Sequence, residues 1–178
     1  MKHFLVLIIV CVAGSSFAQK KYSADKTDVQ FYSHAPLEDI KATNTKSSAI
    51  FNADNGEIAF SVSMKDFKFA KALMQEHFNE KYVESEKYPK STFQGTVVGY
   101  KPDVKGLQQV KAQGKLTIHG VTKDIDVPGT VEGQGNKLQM KSKFTVKVAD
   151  YNIAIPSIVF QKIAEEVEVT LDFTFKPM

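Results

Sequence analysis

The chain has 178 residues, 43% of them hydrophobic and 24% charged, with a net charge of +3 at pH 7. That length suits one domain with a substantial core, and the scattered lysines read as a solvated surface rather than a binding stripe. Arginine, the usual bidentate reader of phosphate and guanine, is absent, which argues against a specific nucleic-acid reader.

The chain opens with a targeting pattern. Met1-Lys2-His3 is a short basic start, Phe4 to Ala13 is an unbroken apolar run, and Ser16-Phe17-Ala18 has the small-x-small form of a cleavage site. We therefore read residues 1–18 as a cleaved signal peptide and residues 19–178 as a single domain, periplasmic or secreted. The run is too short to cross a bilayer core of about 30 Å as a helix, and no second run follows it. Cys11 lies mid-run behind Ile9 and Val10, not behind the small residues that lipidation requires, so it reads as an ordinary leader residue. It is also the chain's one cysteine, so the mature domain has neither disulfide nor thiolate chemistry.

Beyond the leader, period-two alternation dominates and predicts strands. Residues from Gln19 to Asp28 read as a partly ordered first strand, and Asp28–Ala35 and Ser48–Asn52 as weak strands. Ile58, Phe60, Val62 and Met64 alternate with Ala59, Ser61 and Ser63 in a stronger one. Between Asp66 and Glu86 the period changes. Ala70, Leu73, Met74, Phe78 and Tyr82 fall at helical spacing, and Pro89 is expected to end the segment. This helix either caps the core or forms a lid over a ligand. Strands resume at Ser91–Tyr100, where Gly95 and Gly99 suggest a bulge or barrel corner. They continue through Leu116–Ile118, Ile125–Val127, Lys137–Lys141 and Phe144–Val148. The last strand is the clearest: Val167, Val169, Leu171, Phe173 and Phe175 alternate with Glu166, Glu168, Thr170, Asp172 and Thr174. Turns are expected at Asn52–Gly56, Pro102-Asp103, Gly129 and Gly133–Asn136. About eight to ten strands at this spacing predict an all-β barrel or sandwich.

Little in the sequence suggests catalysis. His34, His77 and His119 fall on three separate elements without metal-ligand spacing. His119, where a strand runs into Gly120, is expected to hydrogen-bond turn backbone and fix a hairpin. His77 is expected to reach a carbonyl or Glu80. No serine has a nucleophile-elbow setting, Glu165, Glu166 and Glu168 form a charged strand face, and no Gly-rich phosphate loop is present. No catalytic residue, metal ligand or cofactor site is assigned. The apolar inventory, with 13 phenylalanines, is the remaining signal. In a small barrel such side chains either fill the core or line a cavity for one apolar molecule, whose burial is worth about 25 cal/mol per Å². The candidate lining residues are Phe60, Phe67, Phe69, Leu73, Met74, Phe78, Phe93 and Phe144.

Three stretches carry a family resemblance. Leu73-Met74-Gln75-Glu76-His77-Phe78-Asn79-Glu80-Lys81-Tyr82, with Tyr88-Pro89 and Phe93-Gln94-Gly95 after it, resembles the helix region of the YceI-like family. Gly114-Lys115-Leu116-Thr117-Ile118-His119-Gly120-Val121-Thr122-Lys123 resembles that family's strand-turn motif, and Asp150-Tyr151-Asn152-Ile153 with the last strand fits as well. The resemblance implies an extended, lipocalin-like, eight-stranded antiparallel β-barrel with one helix packed against it. It also implies a non-catalytic periplasmic or secreted carrier or buffer whose bound molecule is an isoprenoid quinone, a polyisoprenoid lipid or a similar amphiphile. One departure is the lack of arginine, which leaves a lipid head group to lysine, hydroxyl, amide or backbone donors. The alternative is a filled barrel acting as a structural or protein-interaction module of the cell envelope. The sequence leaves monomer and homodimer both open.

Overall fold

The computed structural model describes residues 20–102, 104–156 and 163–178. The expected signal peptide, its cleavage site and Asp103 lie outside them. The alternating segments form β1 (Lys21–His34), β2 (Asp39–Asn44), β3 (Ser48–Asn52), β4 (Glu57–Ser63), β5 (Lys68–Phe69), β6 (Lys90–Val98), β7 (Leu107–Ile118), β8 (Val121–Gln134), β9 (Lys137–Lys147) and β10 (Glu166–Pro177). Among the described residues every strand pairing is antiparallel. The ring runs β1-β3-β4-β6-β7-β8-β9-β10 and returns to β1, a closed eight-stranded antiparallel barrel. No helix among the described residues is long and apolar enough to cross a membrane.

One end of this barrel is tight and the other flares, because two strand pairs part on the way up. β2 and β3 both return along β1, β2 against Val29–His34 and β3 against Lys21–Ser23. β3 then pairs with β4, while β2 turns to the short β5. Asn44 pins this fork. It is 1% exposed, its Nδ2 donates to the Ser63 carbonyl at 2.7 Å, and its Oδ1 accepts from Lys46 N at 2.8 Å. Opposite, β8 and β9 pair only over Gly129–Gln134. Pro128, just before, has no N–H to carry a ladder further.

At the tight end, Gly95 of β6 faces Gly114 of β7. A Cβ on Gly114 would stand 2.3 Å from the Gln94 carbonyl oxygen and 2.5 Å from Gly95 Cα, so both positions need glycine for the strands to approach. Gly99 lies beyond β6 at φ 91, so it belongs to the turn rather than to the strand. The expected turn at Gly129 is absent, because Gly129 is an interior residue of β8 paired to both neighbours.

The helical segment is shorter than its spacing predicts. An α-helix, α1, covers only Ala72–His77, and a π turn over Phe78–Tyr82 continues it. Upstream, Lys68-Phe69 is held extended by pairing with Thr43 and Ala42. Downstream, Glu84 takes a left-handed backbone (φ 44) and ends the segment five residues before Pro89. Tertiary pairing overrides the helical period here. Phe67 and Phe69 point one way because they alternate as in a strand.

Candidate functional site

The inward face of β10 changes character along its length. Phe173 and Phe175 are 3% and 0% exposed, whereas Val167, Val169 and Leu171 on the same face are only half-buried. The first pair packs into solid core at the tight end. The other three look onto a cavity of about 470 Å³ that fills the flared end and opens at its rim. Strands supply its wall through Val29, Phe60, Val62, Leu116, Phe144 and Val146, and Ile153, Ile155 and Ile163 close one side.

Above the wall, four phenylalanines interlock. Phe31 stacks on Phe78 with ring centroids 5.4 Å apart, and meets Phe67 at 5.4 Å and Phe69 at 5.6 Å. Phe78 also contacts Phe67 and Phe69, at 5.6 and 5.0 Å. α1 lies across the opening, with Leu73, Met74 and His77 on the cavity. No residue of α1 or of the π turn is buried, so the segment roofs a space, while Phe78 and Tyr82 pack against the core beside it.

Polar groups on the cavity are few. Lys71 and Glu38 form an ion pair at the rim. Ser33 Oγ accepts from Ala164 N at 2.9 Å, and Ser91 Oγ donates to Met64 Sδ at 3.0 Å. Burial raises the pKa of the Tyr82 hydroxyl, which therefore stays protonated as a neutral donor. The cavity is thus an apolar pouch whose polar lining is one charged pair, the His77 imidazole and a few hydroxyls, the usual make-up of a site for a small apolar ligand.

Seven of the eight residues singled out from the sequence border this cavity: Phe60, Phe67, Phe69, Leu73, Met74, Phe78 and Phe144. Phe93 stands behind them. It is 1% exposed and stacks under Phe60 at 5.1 Å. Sequence reasoning missed Phe31, the centre of the aromatic cluster. β1 carries a β-bulge at Asp25, where its register with β10 slips between Ala24 and Lys26. Tyr22 and Ala24 face inward before it, and Thr27, Val29, Phe31 and Ser33 after it. The change of phase hid an alternation that reads clearly from Thr27 onward.

His119 holds the roof in place. With Gly120 it forms a two-residue turn of positive φ (50 and 74) between β7 and β8. One of its partners is backbone, as the sequence suggests, but that of a distant turn rather than of its own hairpin, and the other is a carboxylate. Nδ1 lies 3.1 Å from the Tyr151 carbonyl oxygen and Nε2 2.7 Å from Glu84 Oε2, while the ring sits edge-on to Tyr88 at 4.4 Å. The hairpin is thereby tied both to the loop after the π turn and to the segment carrying Ile153. His34 pairs instead with Asp39 on the exposed β1–β2 hairpin. Among the described residues, no group of three or more His, Cys, Asp or Glu side chains is placed to share a metal ion.

Residues 21–175 match the model of the YceI-like domain. The chain belongs to the YceI-like family. A search of curated proteins finds no match. Solved structures of the same fold include a polyisoprenoid-binding domain from Saccharophagus degradans implicated in plant cell wall breakdown. It is 17% identical, with a TM-score of 0.77 over 88% of this chain and 98% of that one. Burkholderia cenocepacia BcnA is 18% identical, with a TM-score of 0.71 over 83% and 95%. The YceI protein of Campylobacter jejuni is 18% identical, with a TM-score of 0.64 over 82% and 88%. In this YceI-like chain the resemblance read from the helix region and the strand-turn motif therefore extends over almost the whole barrel.

Proposed function

We propose that this YceI-like protein binds the apolar chain of an isoprenoid or similar amphiphilic lipid inside the flared half of its barrel and holds it without transforming it. The observation that carries this reading is the open cavity of about 470 Å³ walled by aliphatic and aromatic side chains. A neutral or weakly polar head group suits the rim, where Lys71 is already paired with Glu38 and Tyr82 offers a hydroxyl. The polyisoprenoid-binding relative from Saccharophagus degradans supports the same ligand class. The protein-module alternative would be favoured by an exposed apolar patch or by an uncovered strand edge. The stretch of β8 that lacks a β9 partner carries Lys123, Asp124 and Asp126, charges that discourage strand addition.

The N-terminal pattern supports action outside the cytoplasm, in the periplasm or beyond. N-terminal sequencing of the exported protein tests this, with Gln19 as the expected first residue. The lipid reading is tested by native mass spectrometry of the purified protein before and after organic extraction, followed by titration with prenols and quinones. The expected result is one bound molecule per chain. Leu73, 60% exposed yet on the cavity, offers a clean variant. Leu73→Ala should leave the unfolding midpoint nearly unchanged and weaken lipid binding by about tenfold. Unchanged affinity would remove α1 from the site.

A further inference from the structure

The cavity ends at a definite floor, and below it the barrel is solid. Phe60 is the ring on the cavity wall that meets buried rings outside the lining. It stacks on Phe93 at 5.1 Å and meets Phe173 edge-on at 6.0 Å. From there the ring contacts continue downward, Phe173 to Phe175 at 6.2 Å and Phe175 to Phe51 at 6.3 Å. Phe51, Phe93 and Phe175 are at most 1% exposed, and none of them borders the cavity. Phe93 lies directly on Gly95, where a Cβ would come within 2.8 Å of its Cζ, at the level where β6 and β7 are drawn together. A second chain thickness has no room beside these rings.

We infer that this aromatic column acts as a length gauge, limiting the bound molecule to one apolar chain of about fifteen carbons, or about three isoprene units. This rests on the lipid-binding reading above and adds a size limit to it. Two measures agree. A volume of about 470 Å³, at about 30 Å³ for each small group in a condensed phase, holds on the order of fifteen carbons. The wall from Val167 to Leu171 rises about 13 Å along the strand, or about 10 Å along the axis of a barrel with strands tilted by about 40°. At roughly 1.3 Å of advance per carbon in an extended chain, that wall takes about eight chain carbons, and the space under α1 and the phenylalanine cluster takes the next few. A longer polyprenyl tail must leave its remainder outside the mouth.

The test is a titration of the delipidated protein with straight-chain alcohols of about eight to about twenty carbons. Affinity should rise about fourfold per added methylene and level off near about fifteen carbons. Phe60→Ala, which lowers the floor, should move the break to longer chains. Phe60→Trp, which raises the floor and keeps the core filled, should move it to shorter ones. Affinity that keeps rising to the longest alcohol, or a break that neither variant moves, would overturn the gauge while leaving lipid binding standing. Failure of every alcohol to bind would overturn the lipid reading itself.

Discussion

His119 and Gly114 show how single residues carry this fold. The His119 ring spans two acceptors from segments distant in sequence, and one of them is a carboxylate. Hydrogen bonds to charged groups contribute about 1.5–3 kcal/mol. His119→Asn keeps a residue that tolerates positive φ but is too short to reach either partner. It should therefore lower stability by about 2 kcal/mol in urea unfolding, within the range for such bonds, without disturbing the turn. Gly114 acts through what it lacks. A Cβ there meets backbone on the facing strand, which cannot move aside as a side-chain tip could. Gly114→Ala should cost about 3 kcal/mol, at the upper end of overpacking effects. Gly133, where a Cβ would meet nothing within 4 Å, is the matched control. Both roles were partly legible: the family-like strand-turn motif marked His119, and glycines within strands marked a corner. Neither partner of His119 lies within thirty residues of it, so no local pattern in the sequence announces them.

At the scale of elements, β1 does the most to close the molecule. The Asp25 bulge aims its carboxylate outward, 2.7 Å from Lys137 on β9 and 3.3 Å from Lys176 on β10. Lys137 first, then Lys176, holds the Asp25 pKa below its ordinary value. A carboxylate whose folded-state pKa is lowered contributes stability above its unfolded pKa and loses that contribution as pH falls through the folded value. Asp25→Asn should therefore flatten the acid limb of stability against pH, below the usual carboxylate range, and leave the slope near neutrality unchanged. Chemical unfolding across that range measures it. The roof teaches a second lesson. The apolar spacing between Asp66 and Glu86 fits one helix, yet pairing of β5 with β2 takes its first turn and the left-handed Glu84 takes its last. Local periodicity identified the segment, and competition for backbone partners set its ends.

Over the whole molecule, two halves of one barrel differ in what fills them. The tight end packs rings and aliphatic side chains into continuous core, while the flared end encloses space. Amide exchange in the unliganded protein should be slowest for the inward strand residues around Phe51, Val131 and Phe175. It should be faster around Phe31, Phe69 and Phe78, where a bound chain should slow it. The opposite order would mean that the cavity end is the stable nucleus. The amino-acid sequence by itself determined the all-β class, the family and the candidate apolar side chains, because strand periodicity and ring content are local properties of a chain. It could not say which of those side chains would meet one another and which would face space. Phe60 and Phe93 look alike in their alternation, yet one borders the cavity and the other lies beneath it. That distinction came only with the tertiary structure, because it depends on where two strand pairs part, where two glycines draw strands together, and how far each ring stands from the barrel's closed end.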